Sequence, residues 1–419
     1  MPRTTPDVIH HAALDARLVE AASGIRVLTL ASWPSEVIDE FLDDYRRGTP
    51  RLPRVSYPRH DFSAERRELR AIAAAADPGH PLGKYLIESA RSWDIAARLC
   101  ERLGTDEGTG LSIELYGHPE SPLPGHGPGV RWAARKFIAV ADELDRELVS
   151  PAEQWPISAT SLALQLQRDL DEFFNDRVIE VVLDPDLVAK AAAGATRIRL
   201  RTGADFTEYD RHQLREHEAF VHSITALNGA EQPVLGSLGL SSPRVTATQE
   251  GLATFAEQAT GNLDIERIKR LSLRVEAVAM ALDGADFIEV FRYFLEAGQT
   301  PEEGAASAHR VFRGVPVTGG AAFTKDTVYL RGLVGVHTFY RWALRSRQLR
   351  LGRWLFAGKM TLGDVQRFAP LFESGVLLPP RWIPSWVERA NGLAGMLAFS
   401  LFANRIQLQA IDDAGFLDI

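Results

Sequence analysis

Helical periodicity runs through most of this chain and is interrupted near its centre. Ser35–Gly48 is typical of the helical segments, with apolar residues on one face, acids early, arginines late and a terminal glycine. Two central segments, Val178–Leu183 and Thr196–Arg201, are instead short and strand-like. We therefore predict a helix-dominated α+β fold with one small mixed sheet beside the helix that follows these strands.

Helical patterns lie on both sides of the strand-like segments. Besides 35–48 they cover 64–75, 82–103, 130–148, 161–175, 248–282, 287–297, 302–312, 327–347 and 383–402. A length of 419 residues allows one large domain or two. We predict an N-terminal helical region over 1–155 and a second region over 156–419 that contains the sheet, with one continuous domain as the alternative.

Composition limits the kind of site this chain can build. A net charge of -8 argues against a dedicated nucleic-acid binder, and the single cysteine, Cys100, excludes disulfide frameworks and Cys-rich metal sites. A metal site must therefore use carboxylates and some of the 11 histidines. Met1–Leu28 is charged throughout, and Gly392–Ala403 is shorter than the ~20 residues that span a bilayer, so we expect a cytoplasmic protein without a membrane segment.

A predicted helix from Thr207 towards Asn228 contains the pattern His217-Glu218-x-x-x-His222. In the familiar zinc-protease motif the histidines are four residues apart, so both imidazoles reach one metal ion and the glutamate acts as general base. A spacing of five turns the two rings about 140° apart on a regular helix. Either the two histidines are a coincidence on an amphipathic surface, or the helix contains a π-bulge over 219–222 that realigns them.

Glu250 is a candidate third metal ligand. It opens another helical segment 28 residues after His222, and catalytic zinc commonly takes two histidines, one glutamate and a water. Glu257 on the same helix is the rival ligand. The alternative for Glu250 is a first-turn carboxylate that interacts favourably with the helix dipole.

These motifs carry a resemblance to a known family. His217–His222, Asn228, Gln232-Pro233 and the pentapeptide Gln249–Ala253 resemble the bacterial family named for its QEGLA motif and labelled flavohemoglobin expression-modulating. That family is similar to the eukaryotic microtubule-associated tyrosine carboxypeptidases, which remove the C-terminal tyrosine of α-tubulin. The later segments that share the resemblance are Arg310–Gly314, Gly319-Gly320 and Phe323–Leu330.

The resemblance implies a zincin-like metallopeptidase. Zn²⁺ would be held by His217, His222 and Glu250, and Glu218 would be the catalytic acid/base. It further implies that the strand around Ile198 is an edge strand along which an extended peptide lies.

A carboxypeptidase needs two further groups. One is a donor to the oxyanion that develops in the reaction, for which Tyr329 is the first candidate and His309 the second. The other is a cation for the substrate's terminal carboxylate. The candidate cations are Arg310, Arg313 and Lys325.

We therefore predict a zinc-dependent carboxypeptidase that removes a C-terminal, possibly aromatic, residue from a peptide or protein. One alternative is a catalytically silent regulatory or interaction protein that retains the fold. It is suggested by the acid-free arginine stretch of 341–353 and by the aromatic run Trp382–Trp386. Another alternative is a zinc hydrolase acting on a non-peptide amide.

Overall fold

The computed structural model describes residues 5–125, 127–144, 156–187 and 190–403. The helices before the sheets are α1 (Pro6–Ala22), α2 (Val27–Leu30), α3 (Ser35–Arg46), α4 (Ser63–Ala75), α5 (Pro81–Glu101), α6 (Glu107–Tyr116) and α7 (Val130–Glu143). The helices predicted from Ser35, Ala64, Leu82 and Val130 are among them. Helices α1, α2 and α6 were not predicted.

The central elements are β1 (Ile157–Ser158), α8 (Ala159–Phe174), β2 (Glu180–Asp184), β3 (Ala191–Ala193), β4 (Arg197–Arg201), β5 (Asp205–Phe206), α9 (Glu208–His212), a π-helix (Gln213–Ser223) and α10 (Ile224–Ala230). We call the continuous run of α9, the π-helix and α10 the central helix. Its N-terminus has the predicted capping box: the Thr207 side chain accepts from the Asp210 backbone, and the Asp210 side chain accepts from the Thr207 backbone.

The C-terminal half is helical. It contains two short 3-10 helices (Gly236–Gly239 and Pro243–Val245), α11 (Thr246–Ala259), α12 (Ile265–Leu282), α13 (Phe287–Glu296), α14 (Pro301–Phe312), a 3-10 turn (Thr324–Asp326), α15 (Thr327–Arg345), α16 (Arg350–Trp354), α17 (Leu362–Glu373), α18 (Ser385–Glu388) and α19 (Ala390–Ala403). The segment predicted as helical over 248–282 is two helices, α11 and α12, separated by a short loop.

The predicted mixed sheet is present and has the strand order β2-β4-β3, with β2 parallel and β3 antiparallel to β4. It lies beside the π-helix, where the Ser223 hydroxyl donates to the Gly194 carbonyl at 2.8 Å. A two-stranded antiparallel ribbon of β1 and β5 accompanies it. The helix-dominated α+β class is thus confirmed, with a second small sheet that the sequence did not indicate.

The predicted edge position of the strand around Ile198 is wrong. This strand is β4, which is paired on both sides, and the Ile198 side chain is 0% exposed in the core. Its alternating pattern reflects apolar residues that face the core and arginines that pair with acids on β2, such as Arg199 with Asp184 at 3.1 Å. The edge strand next to the π-helix is β3, whose alanines gave little strand signal.

The main apolar core joins residues from both ends of the chain. Buried side chains of α1, α4 and α5 belong to the same cluster as those of α8, the central helix, α11, α15 and α17. A second cluster lies among α3, α12, α13 and α14. The predicted boundary between 1–155 and 156–419 falls beside residues 145–155, which lie outside the described residues. No helix in the described ranges is long and apolar enough to cross a membrane.

Candidate metal centre and substrate cavity

The central helix has π geometry where the histidines lie. The eleven residues Gln213–Ser223 form the π-helix. The residues on either side of it, His212 and Ile224, have right-handed helical backbone angles, so the helix continues without a break. Bonding from residue i to i+5 places residues five apart on successive turns of one face. The ring centroids of His217 and His222 are therefore 4.9 Å apart. The predicted departure from α geometry is confirmed, and it extends beyond a single bulge.

Glu250 on α11 faces both imidazoles. Its Oε2 lies 3.4 Å from Nε2 of His217 and 3.5 Å from Nε2 of His222. One ligand atom from each of the three residues lies within 4.8 Å of the others. Ligands bonded to zinc at ~2.0–2.2 Å in tetrahedral geometry are roughly 3.3–3.6 Å apart, and the two distances from Glu250 to the imidazoles lie in this range.

Glu257 supports the site from behind. Its Oε1 lies 2.6 Å from Nδ1 of His217, on the side of the ring away from Glu250, and Arg267 on α12 holds the same carboxylate at 3.1 and 3.2 Å. A carboxylate on the second nitrogen of a metal-binding histidine fixes the tautomer and the orientation of the ring. Of the two glutamates left open as ligands, Glu250 therefore belongs to the group that could hold a metal ion, and Glu257 contacts the opposite side of the His217 ring.

His222 is oriented by a weaker contact. Its Nδ1 lies 3.5 Å from Oε1 of Gln249, and Thr225 donates to the same oxygen at 2.9 Å. Gln249 and Glu250 are adjacent in the QEGLA pentapeptide, so one turn of α11 supplies one candidate ligand and a contact to another, His222.

Two carboxylates contact the His217 imidazole and favour a cation at that position. Burial opposes protonation of His217, but hydrogen bonds to Glu250 and Glu257 raise its pKa to about 10. Burial likewise opposes ionisation of Glu250, but the neighbouring Lys325 and both histidines hold the pKa of its carboxyl well below the ordinary value. A pair of carboxylates that stabilises a proton on an imidazole also stabilises a metal ion in the same place.

The three residues line a cavity of about 610 Å³. Glu218 also lines it, and its carboxylate has no hydrogen bond or ion pair with the described residues. The edge strand β3 reaches the wall at Ala193. Distant parts of the chain complete the wall: residues 25–29, Trp93, Tyr116, the 241–246 segment, Arg267, Arg274, Arg310, Arg313, Lys325, Tyr329 and Lys359.

Two of the three predicted carboxylate-binding cations are engaged with acids. Lys325 donates to Oε1 of Glu250 at 2.9 Å, and Arg310 forms a bidentate pair with Asp326 at 2.6 and 2.7 Å. The Tyr329 hydroxyl lies between them, 3.3 Å from Lys325 Nζ and 3.5 Å from Arg310.

Arg313, the third predicted cation, has no acidic partner among the described residues. Its Nε is buried without a hydrogen bond, and burial together with the neighbouring Arg310 lowers the pKa of its guanidinium. Arg274 on α12 likewise has no ion pair with an acid of the described residues, and burial together with Arg310 lowers the pKa of its guanidinium to about 10. Among the described residues that line the cavity, Arg313 and Arg274 are thus two largely buried guanidinium groups without a paired carboxylate.

His309, the second oxyanion candidate, does not line this cavity. Its ring packs on Trp33 with centroids 4.7 Å apart, and burial with the neighbouring Arg313 and Arg310 lowers its pKa to about 4. Its environment is that of a structural residue, because its ring packs against Trp33 and lies outside the cavity lining.

The sequence model of one family, described as microtubule-associated tyrosine carboxypeptidase, matches residues 39–405. The chain belongs to this family. No curated protein matches the chain in a sequence search. The match confirms the predicted similarity to the tyrosine carboxypeptidases, and it includes the central helix, α11, α12 and every cavity residue from Trp93 onwards.

Within the tyrosine carboxypeptidase family match lie several cavity residues that the sequence did not single out. Arg267 and Arg274 are seven residues apart and so share a face of α12, but nothing in their local sequence connects that face to the histidines. Lys359 offered one usable signal. It and Lys325 are two of only six lysines in a chain that otherwise uses arginine, and both line the cavity.

Proposed function

We propose that this chain is a zinc-dependent metallocarboxypeptidase. The observation that carries the proposal is the arrangement of His217, His222 and Glu250 around one point, with the unpartnered carboxylate of Glu218 beside them in a cavity. Two histidines, one glutamate and an open position are the usual donor set of catalytic zinc. Family membership supports carboxypeptidase activity as the reaction.

Zinc, when bound, supplies a Lewis acid that acidifies water and polarises the carbonyl of the scissile bond. Glu218 accepts a proton of the attacking water as the new C–O bond forms and then delivers it to the leaving amine as the peptide C–N bond breaks. Glu257 and Arg267 hold the His217 ring so that its Nε2 faces Glu250 and would be available to a metal ion. Lys325 fixes the second oxygen of Glu250.

The unpaired guanidinium groups of Arg313 and Arg274 are the proposed receptor for the substrate's terminal carboxylate. A buried cation without a counterion is costly, and a carboxylate ligand would relieve that cost. Lys325 and Arg310 are proposed to support substrate binding indirectly. Lys325 holds Glu250, and both cations contact the Tyr329 hydroxyl in the same cavity. Trp93 and Tyr116 line the same cavity and support an aromatic side chain on the residue removed.

The substrate is proposed to be a peptide or protein C-terminus in extended conformation. Because β4 is paired on both sides, the strand edge at the cavity is β3. An extended substrate would pair with this edge as an additional strand. A strand edge at the cavity supports a peptide rather than a small non-peptide amide as the substrate.

The test is Glu218→Gln with measured zinc content. We expect hydrolysis of C-terminal peptides to fall by at least about 100-fold, since the general base is lost, while zinc stays stoichiometric. His217→Ala and Glu250→Ala are expected to lose zinc in the same metal assay. Full activity in Glu218→Gln would contradict the mechanism, and stoichiometric zinc in the other two would remove those residues from the ligand set. Bound zinc without cleavage of any peptide in a library would favour the regulatory alternative.

A further inference from the structure

Lys359 is a buried cation whose role the proposed mechanism leaves open. Its side chain lines the cavity and is 8% exposed. Its Nζ donates to the Ser241 hydroxyl at 2.7 Å, and no acid of the described residues forms an ion pair with it. An ammonium group has three protons to donate, so two are available to a ligand in the cavity.

The backbone holds Lys359 rigidly in this place. Its amide donates to the Leu238 carbonyl at 2.7 Å. The preceding residue, Gly358, lies so close that an added Cβ would come within 2.7 Å of the Leu238 side chain and 3.2 Å of the Gly229 Cα. A residue without a side chain is therefore required beside Lys359.

The same helix that carries the histidines anchors this loop. Asn228 at the end of α10 donates to the Phe356 carbonyl at 2.8 Å, and Gln232 just beyond it donates to the Ala357 carbonyl at 3.1 Å. Because α10 continues directly from the π-helix, the position of Lys359 is set relative to His222 by one rigid element and two side-chain amides. Asn228 and Gln232 are thus positioning residues.

The acids that act electrostatically on Lys359 are those beside the two histidines. Burial lowers the pKa of its ammonium to about 8, and Glu250 and Glu218 are the acids that oppose this decrease. Lys359 therefore lies in the field of the proposed general base and of a metal ligand. The hydroxyl of Tyr329, the predicted oxyanion donor, accepts hydrogen bonds from Lys325 and Arg310. The guanidinium of the unpaired Arg274 lies over its ring, so Tyr329 belongs to the arginine side of the cavity.

We propose that the Lys359 ammonium donates a hydrogen bond to the carbonyl oxygen of the scissile bond as negative charge develops on it. This rests on the proposed peptidase function. In the step, the water oxygen bonds to the carbonyl carbon, the C–N bond breaks, and the proton taken by Glu218 ends on the amine nitrogen. Lys359 keeps its own protons and acts by electrostatic stabilisation alone.

The kinetic test compares Lys359→Met with Lys359→Arg, which retains the charge. We expect kcat in Lys359→Met to fall by about 100- to 1000-fold with KM changed less than about threefold, as for loss of one oxyanion donor. Lys359→Arg should recover part of the loss. Lys136→Met, a lysine that stacks on Trp132 outside the cavity, is the matched control.

A binding test separates this role from the others and does not depend on turnover. Calorimetry would compare a phosphinic peptide, whose tetrahedral anion imitates the reacting carbonyl, with an N-acetyl amino acid that imitates the released product. In the Glu218→Gln background, Lys359→Met should weaken the phosphinic peptide about 100-fold and the product less than threefold. Equal weakening of both ligands, or of neither, would overturn the proposal. Absence of cleavage by the wild type would instead refute the proposed function, so the failure of that proposal and the failure of the Lys359 proposal give different results.

Discussion

At the scale of single residues, the site depends on side chains that serve two neighbours at once. Oε2 of Glu250 faces both imidazoles, while its Oε1 accepts from Lys325. His217 presents one nitrogen to the cavity and the other to Glu257. Each group is therefore held in orientation before any ligand binds, which is the condition for a precise metal centre.

His309 makes a prediction for stability at this scale. Its pKa falls from 6.5 to about 4 on folding, so between these values the unfolded chain binds more protons, and the free energy of unfolding decreases as the pH falls. In the wild type, His309 should lower the free energy of unfolding by on the order of 2–3 kcal/mol between pH 7 and pH 4. The variant His309→Gln should lack this decrease. Urea unfolding across this range measures it. The exposed His10→Gln should follow the wild type, and parallel curves for His309→Gln would contradict the assignment.

At the scale of elements, the candidate metal centre depends on how closely α11 approaches α15. A Cβ added to Gly251 would lie 2.2 Å from the backbone carbon of Gly332, and one added to Gly332 would lie 2.1 Å from the Ala247 carbonyl oxygen. Only glycines at both positions permit this contact. The glycine of the pentapeptide is therefore a packing residue that sets the position of Glu250 beside it.

Gly251→Ala should force the two helices apart. We expect a loss of about 2–3 kcal/mol in the free energy of unfolding, as for overpacking of a dense contact, and a weaker zinc affinity because Glu250 moves with its helix. Gly335→Ala on α15 is the matched control, since its Cβ would meet only a Leu362 methyl at 3.8 Å. That variant should be neutral or slightly stabilising. Equal stability of the two variants in urea unfolding would contradict the packing role.

At the scale of the whole molecule, the cavity is assembled from segments far apart in the chain. The N-terminal residues 25–29, Trp93 on α5, α12, the end of α14 and the 355–361 loop all reach it. Their combined charge is positive, because the cations outnumber the acids that face the same space. A negatively charged end of a substrate is the ligand that this surface complements.

Selectivity for a free C-terminus should follow from that charge. In Arg313→Gln and in Arg274→Gln, we expect KM for free-acid peptides to rise by about 10- to 100-fold, because a charge-assisted hydrogen bond is lost. C-terminally amidated peptides should be poor substrates of the wild type and be little affected by either substitution. Arg331→Gln, which lines a neighbouring pocket, is the control. Equal cleavage of acid and amide peptides by the wild type would indicate an endopeptidase.

Local patterns predicted much of this architecture. Capping signals and apolar periodicity identified α3, α4, α5, α8 and the central helix, because these features act over a few residues. The spacing of His217 and His222 likewise required a helix that departs from α geometry if both were to face one point, and the π-helix meets that requirement. Helix α6 and strand β3, which are rich in glycine or alanine, gave too weak a local signal.

By itself, the sequence determined the helix-dominated α+β class and the histidine and glutamate candidates for the metal centre, since residue type and spacing carry that information. Only the tertiary structure decided that Glu250 faces the histidines while Glu257 lies behind His217, that β4 is central and β3 the edge, and that Arg274 and Lys359 reach the cavity. These contacts join residues far apart in the chain. Their geometry depends on how whole helices pack, which no local pattern of residues encodes.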